Sequence, residues 1–120
     1  IGNKEGLRPG QTLTYEIPGE VKSDIIYLDG TWKSNSDNLE LVGEKGSIIL
    51  SFKAKEVNIV ADSLSNEVLR MEVYIDGNLE QIIDVDKPQL YNVYDADYGN
   101  YLLELKVEKG FSFNSFTFGG

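Results

Sequence analysis

Tyrosines 91, 94, 98 and 101 crowd into residues 91–101 with Asn92, Asp95, Asp97 and Asn100 between them. These residue types suit a sugar. One face of a pyranose is apolar C–H and stacks on an aromatic ring, while amides and carboxylates take the hydroxyls. Tyr91, Tyr94, Asp95, Asp97, Tyr98 and Tyr101 are therefore the candidate ligand-binding residues. The plainer alternative makes Tyr91 and Tyr101 core residues and leaves Tyr94 and Tyr98 to cap a rim. Trp32, the single tryptophan, reads as a core anchor rather than a platform.

Other chemistry is restricted by what the chain lacks. It has no His and no Cys, so a Ser-His-Asp triad, thiol catalysis and thiolate metal sites are excluded. A carboxylate pair for glycoside hydrolysis is formally open, but with twenty acidic residues some pair always qualifies by chance. No catalytic residues and no cofactor are expected. Asp84 with Asp86, and Asp95 with Asp97, offer the oxygen-rich pattern hard cations use, which leaves structural calcium as an option. Neither pair has EF-hand spacing, and a solvated acidic rim explains both.

Eleven basic against twenty acidic residues give a net charge of −9, which disfavours nucleic acid and anionic membranes. No apolar run reaches the roughly 20 residues that span a bilayer, so no direct membrane insertion is expected. The opening Ile1-Gly2-Asn3-Lys4-Glu5 has neither a Met nor an apolar signal region. It reads as the start of a module excised from a longer protein.

The elements that would position these residues are strands. Residues 1–23, punctuated by Gly2, Gly6, Pro9-Gly10 and Pro18-Gly19, read as a linker with one short strand at 12–17. The domain proper is expected over 24–120. Strands are expected at 25–28, around Trp32 after a turn at Asp29-Gly30, and at 39–42. Two more, 47–54 and 57–61, are parted by a break at Lys55-Glu56. The longest is expected at 68–75, with Leu69, Met71, Val73 and Ile75 on one face and Arg70, Glu72 and Tyr74 on the other. Asp76-Gly77-Asn78 is a hairpin signal leading to 81–85. A strand at 90–94, a loop over 95–100, and strands at 101–108 and 111–120 complete the chain, the last two joined at Lys109-Gly110. Only 63–69 has room for a helical turn. Roughly nine short strands between turn signals predict an all-β antiparallel sandwich of jelly-roll type. Its core should hold Ile48, Leu50, Phe52, Ile59, Met71, Val73, Ile75, Leu103 and Leu105, with Phe113 and Phe116 from the last strand.

Ordered phrases along the chain carry a resemblance. They are Ile26-Tyr27-Leu28-Asp29-Gly30-Thr31-Trp32, residues 50–60, Val73-Tyr74-Ile75-Asp76-Gly77, Leu90-Tyr91-Asn92-Val93 and the closing Phe116-Thr117-Phe118-Gly119. Over residues 12–120 the chain resembles the C-terminal module of DipZ-type thioredoxin-like proteins. There a galactose-binding-like, carbohydrate-binding-module-like sandwich follows an extracytoplasmic thioredoxin-fold redox domain. The resemblance implies an extracytoplasmic, non-catalytic accessory module with an upstream redox domain in the same chain, binding a glycan or other cell-envelope polymer. The alternative is a docking domain that positions the redox domain against a protein partner, with no sugar ligand. Where related modules carry Gly-x-His, this chain has Gly99-Asn100-Tyr101, so no role passes to a histidine here.

Overall fold

The computed structural model describes residues 1–119; Gly120, the end of the expected last strand, lies outside them. Eight strands follow in chain order: β1 (Thr12–Tyr15), β2 (Ile26–Ser34), β3 (Leu39–Leu41), β4 (Lys45–Ser63), β5 (Leu69–Ile75), β6 (Asn78–Val85), β7 (Gln89–Glu108) and β8 (Phe111–Gly119). All pair antiparallel in the order β1-β2-β3-β8-β4-β7-β5-β6, and a further β2–β4 pairing closes one side. The described residues contain no helix: of 63–69, Ser63 and Leu69 belong to the flanking strands and 64–68 is bend and coil.

Three strands are shared between two layers, which makes the sandwich barrel-like. The first half of β4 pairs with β2 and with the second half of β7, from Lys45↔Glu108 to Ala54↔Gly99. Its second half pairs with the start of β7 and with β8. The first layer is thus the start of β2, the first half of β4, the second half of β7, β5 and β6; the second is the start of β7, the second half of β4, β8, β3, the end of β2 and β1. Each passage between layers needs a bend. In β2 it falls at Gly30, whose φ of 104° is open to glycine, and the partner of β2 changes there from β4 to β3. In β4 and β7 it falls at a register shift: Ala54 pairs with Gly99, but Glu56 pairs with Asp95. The surplus residues of β7 stand out as a bulge.

This corrects the strand boundaries expected from local signals. The turn at Asp29-Gly30, the break at Lys55-Glu56 and the loop at 95–100 are all bends inside continuous strands. β4 and β7, not β5, are the long ones. The hairpin at Asp76-Gly77 is as expected, with φ of 50° and 85°, the paired positive values of a type I′ turn.

Alternation predicted the core correctly. Ile48, Leu50, Phe52, Ile59, Met71, Val73, Ile75, Leu103, Leu105 and Phe113 are all buried, and Phe116 packs half-buried against them. Trp32 is buried, with its ring edge-on to Phe113 at 5.8 Å and to Phe111 at 6.4 Å. Its Nε1–H donates to the Asp29 carbonyl at 2.9 Å, across the Gly30 bend. The core anchor therefore also holds the backbone at Asp29.

The segment 1–23 supplies β1 and covers part of the first layer. Beyond Tyr15↔Gly30 the β1–β2 ladder ends, and the buried Asn3 amide takes its place. Asn3 Nδ2 donates to the Leu28 and Glu16 carbonyls, and Asn3 Oδ1 accepts from the Leu28 N–H, all at 2.8 Å. One side chain thus satisfies the backbone groups a missing strand would have paired.

Candidate functional site

Residues directly opposite one another in a sheet point to the same side, so register alone lays out a surface. On the solvent face of the first layer, Asp29 pairs with Ser47, Ser47 with Lys106, and Lys106 with Glu72. Four strands therefore present one straight row of hydrogen-bonding side chains. The row beside it begins at Tyr27, whose ring is buried beneath Gly2: a Cβ on Gly2 would clash with Tyr27 Cε1. The Tyr27 hydroxyl also accepts from the Lys22 N–H at 2.9 Å. The N-terminal segment closes the Tyr27 row at its β2 end and leaves the Asp29 row open.

An open cleft of about 520 Å³ lies over that row, lined also by Lys45, Arg70 and Glu108. Its size is within the range that accepts small organic ligands. Gly46 forms part of the floor, where a Cβ would meet the Asp29 carbonyl at 2.8 Å. Glu108 Oε2 accepts the Arg70 N–H at 3.0 Å, continuing the β5–β7 ladder past its last backbone pair. Lys106 carries its ammonium 4.5 Å from the centroid of the Tyr74 ring, which stands in the neighbouring row. Among the described residues the one ion pair is Lys109–Glu44, at 4.0 Å and exposed. Of the carboxylates lining the cleft, Glu108 is engaged with the Arg70 N–H, while Asp29 and Glu72 make no side-chain hydrogen bond among the described residues.

The residues singled out in 91–101 lie at the other end of β7, around its bulge. Tyr91 is buried, and its hydroxyl donates to the Lys87 carbonyl at 2.8 Å. Tyr94 and Tyr101 are half-buried and meet edge-on, centroids 5.1 Å apart. The Tyr101 hydroxyl donates to the Asp97 carbonyl and so spans the bulge. Burial pushes the Tyr94 hydroxyl above its usual pKa, with Tyr101 and then Glu80, Asp76 and Asp97 adding to the effect. Tyr98 is exposed and lies beside Lys53, whose Nζ is 5.6 Å from its centroid. Asp95 faces Glu56 in register and lines a shallow recess of about 380 Å³ with Lys55 and Gly119. Asp97 is exposed at the bulge. Of Trp32, Tyr91, Tyr94 and Tyr98, then, only Tyr98 presents an exposed ring. No group of three or more carboxylates among the described residues is placed to hold a metal.

Alternation places Arg70, Glu72 and Tyr74 on one face of β5, and by the same period Glu104, Lys106 and Glu108 share one face of β7. It had no means of seeing that those faces coincide. The missing signal is register between strands far apart in the chain. Alternating charged positions on two neighbouring outward faces would have been the clue.

The geometry defines an antiparallel β-sandwich with a polar cleft on one sheet face. A family two carbohydrate esterase from Clostridium thermocellum in complex with cellohexaose is similar at a TM-score of 0.70 and 18% identity, over 78% of this chain and 31% of that one. CsCBM6-3 from Clostridium stercorarium, in complex with cellobiose, is similar at 0.50 and 13% over 99% and 98%. The salicylyl-acyltransferase SsfX3 is similar at 0.64 and 11% over 92% and 40%. The chain spans about a third of the length of the esterases it matches. No curated protein matches it. The chain belongs to the thioredoxin like C-terminal domain family, whose model matches residues 1–119.

Proposed function

We propose that the chain is a non-catalytic accessory module that binds carbohydrate in the cleft on the first layer. The observation that carries this reading is the in-register row Asp29, Ser47, Lys106 and Glu72, with the Tyr74 ring in the neighbouring row. Carboxylates accept hydroxyl protons, the ammonium and the serine donate, and an aromatic face takes the C–H side of a pyranose. That the sandwich resembles CsCBM6-3, solved with cellobiose, supports it at the level of fold. On this reading the module follows a thioredoxin-fold redox domain, as in DipZ-type proteins, and works outside the cytoplasm on a glycan or cell-envelope polymer.

Calorimetric titration with neutral oligosaccharides tests the assignment. Binding in the micromolar to millimolar range, lost in Glu72→Ala and kept in Tyr98→Ala, is the expected result. Silence toward every neutral sugar at millimolar concentration counts against it.

A docking role has its own observation. Tyr98 and Phe118 expose their rings at the bulged end of the sandwich, and Phe118 continues inward through Phe52 to Tyr101 at centroid distances of 5.6 and 5.7 Å. If this end holds a protein partner, Tyr98→Ala and Phe118→Ser weaken capture of a thioredoxin-fold domain and leave sugar titrations unchanged.

A further inference from the structure

We infer that the cleft is a trough, open at both ends, that takes an internal stretch of a linear, equatorially linked neutral glycan laid crosswise to the strands; this rests on the glycan reading above. Register gives it two walls. One is the row from Asp29 to Glu72; the other is Lys45, Glu108 and Arg70, two residues away on β4, β7 and β5. The cleft of about 520 Å³ lies along both. At the β2 end the N-terminal segment closes the Tyr27 row and leaves Asp29 exposed. At the other end the walls run on into β6, where Ile82 stands opposite Glu72 and Asp84 opposite Arg70, both exposed. β6 is the last strand of the sheet, so the trough opens at its edge.

Spacing, charge and the path of one side chain choose the ligand. Neighbouring strands lie about 4.8 Å apart, so β2, β4, β7 and β5 set out polar side chains at even steps over about 14 Å. Equatorially linked pyranoses in an extended chain advance by a similar step, one ring to each strand, whereas an axially linked chain coils away from such a row. The lining balances the carboxylates of Asp29, Glu72 and Glu108 against the cations Lys45, Arg70 and Lys106, which suits a neutral chain. Asp29 and Glu72 accept hydroxyl protons near the two ends, and Ser47 both donates and accepts. Lys106, in the middle, carries its ammonium toward Tyr74, on the side away from the second wall, and so leaves the middle of the trough clear. A site open at both ends grips no chain terminus, so its affinity accumulates ring by ring.

The test combines length series with a linkage comparison at fixed length. Cello-oligosaccharides and N-acetylchito-oligosaccharides from disaccharide to hexasaccharide, and maltohexaose, are titrated into the intact chain. In at least one equatorial series, affinity should rise about tenfold or more from disaccharide to tetrasaccharide and then level off. Maltohexaose should bind about tenfold or more weakly than the hexasaccharide of that series, and borohydride reduction of that hexasaccharide should change its affinity less than about twofold. Asp29→Ala, at one end of the trough, should weaken the tetrasaccharide about fivefold and the disaccharide less than about twofold; Lys33→Gln, outside the cleft, should change neither. Circular dichroism checks that each variant is folded. Full affinity already at the disaccharide, loss of binding on reduction of the chain end, or maltohexaose binding as tightly as the equatorial hexasaccharides overturns this inference alone. Binding of no sugar in any series overturns it together with the glycan reading.

Discussion

Lys106 holds its ammonium 4.5 Å from the centroid of the Tyr74 ring, on the open face of the first layer. The contact joins β7 to β5 through side chains that stand one row apart, since Lys106 pairs with Glu72 and Tyr74 with Glu104. It draws the ammonium toward the ring, one row from Asp29, Ser47 and Glu72. An exposed contact of this kind is worth about 0.5–1 kcal/mol.

Tyr74→Ala should therefore weaken oligosaccharide binding about two- to fivefold, by the loss of roughly 0.5–1 kcal/mol of ring contact. The thermal midpoint should barely move, because the ring is half-buried on the solvent face. Paired calorimetry and melting curves check both halves of this statement.

Trp32→Ala should act in the opposite sense, on stability rather than on contact. The ring is buried against Phe111 and Phe113, and truncating such a residue costs about 3–5 kcal/mol. Urea unfolding measures it. Trp32→Phe keeps most of the packing but loses the bond to the Asp29 carbonyl, so it should cost less while loosening the cleft floor.

Asn3→Ala should destabilise the fold by about 2–3 kcal/mol, since it leaves the Leu28 N–H and carbonyl unpaired in a buried place. A loss below about 0.5 kcal/mol in chemical denaturation would mean that water replaces the amide there.

Alkaline stability should depend on Tyr15. Its hydroxyl donates to the Gly6 carbonyl at 2.7 Å, and burial, with Glu5 adding and Arg8 opposing, raises its pKa above the ordinary 10.0. A folded-state pKa raised above the unfolded one means the folded chain holds the proton more tightly. The resulting stability is fully present below the unfolded pKa and is lost as pH rises through the folded one. Tyr15→Phe should flatten the fall in stability above about pH 10, at the expense of the hydrogen bond at neutral pH. Unfolding free energies at pH 7 and at high pH, compared between the two proteins, decide it.

The parts of this fold that local patterning could show were legible in the sequence. Period-two alternation found the inward faces of β4, β5 and β7, and Asp76-Gly77 found its hairpin. What failed has a common physical cause. Gly30, Lys55-Glu56 and Asp95–Asn100 carry turn-like residues because strands bend there to pass between layers, and a bend within a strand looks like a break from sequence alone. The tyrosines drew attention by type, yet Tyr91 and Tyr101 spend their hydroxyls on nearby carbonyls. The cleft escaped notice because Asp29, Ser47, Glu72 and Lys106 come from four strands whose register is a tertiary property.

The face bearing Ser47, Glu72 and Lys106 is the proposed binding surface. Amide chemical-shift mapping during an oligosaccharide titration tests it most directly. Saturable shifts concentrated at Asp29, Ser47, Arg70, Glu72, Tyr74 and Lys106, with the bulge around Tyr98 silent, are the expected result. Shifts confined to Tyr98, Phe118 and their neighbours, or no shift at millimolar sugar, would contradict it.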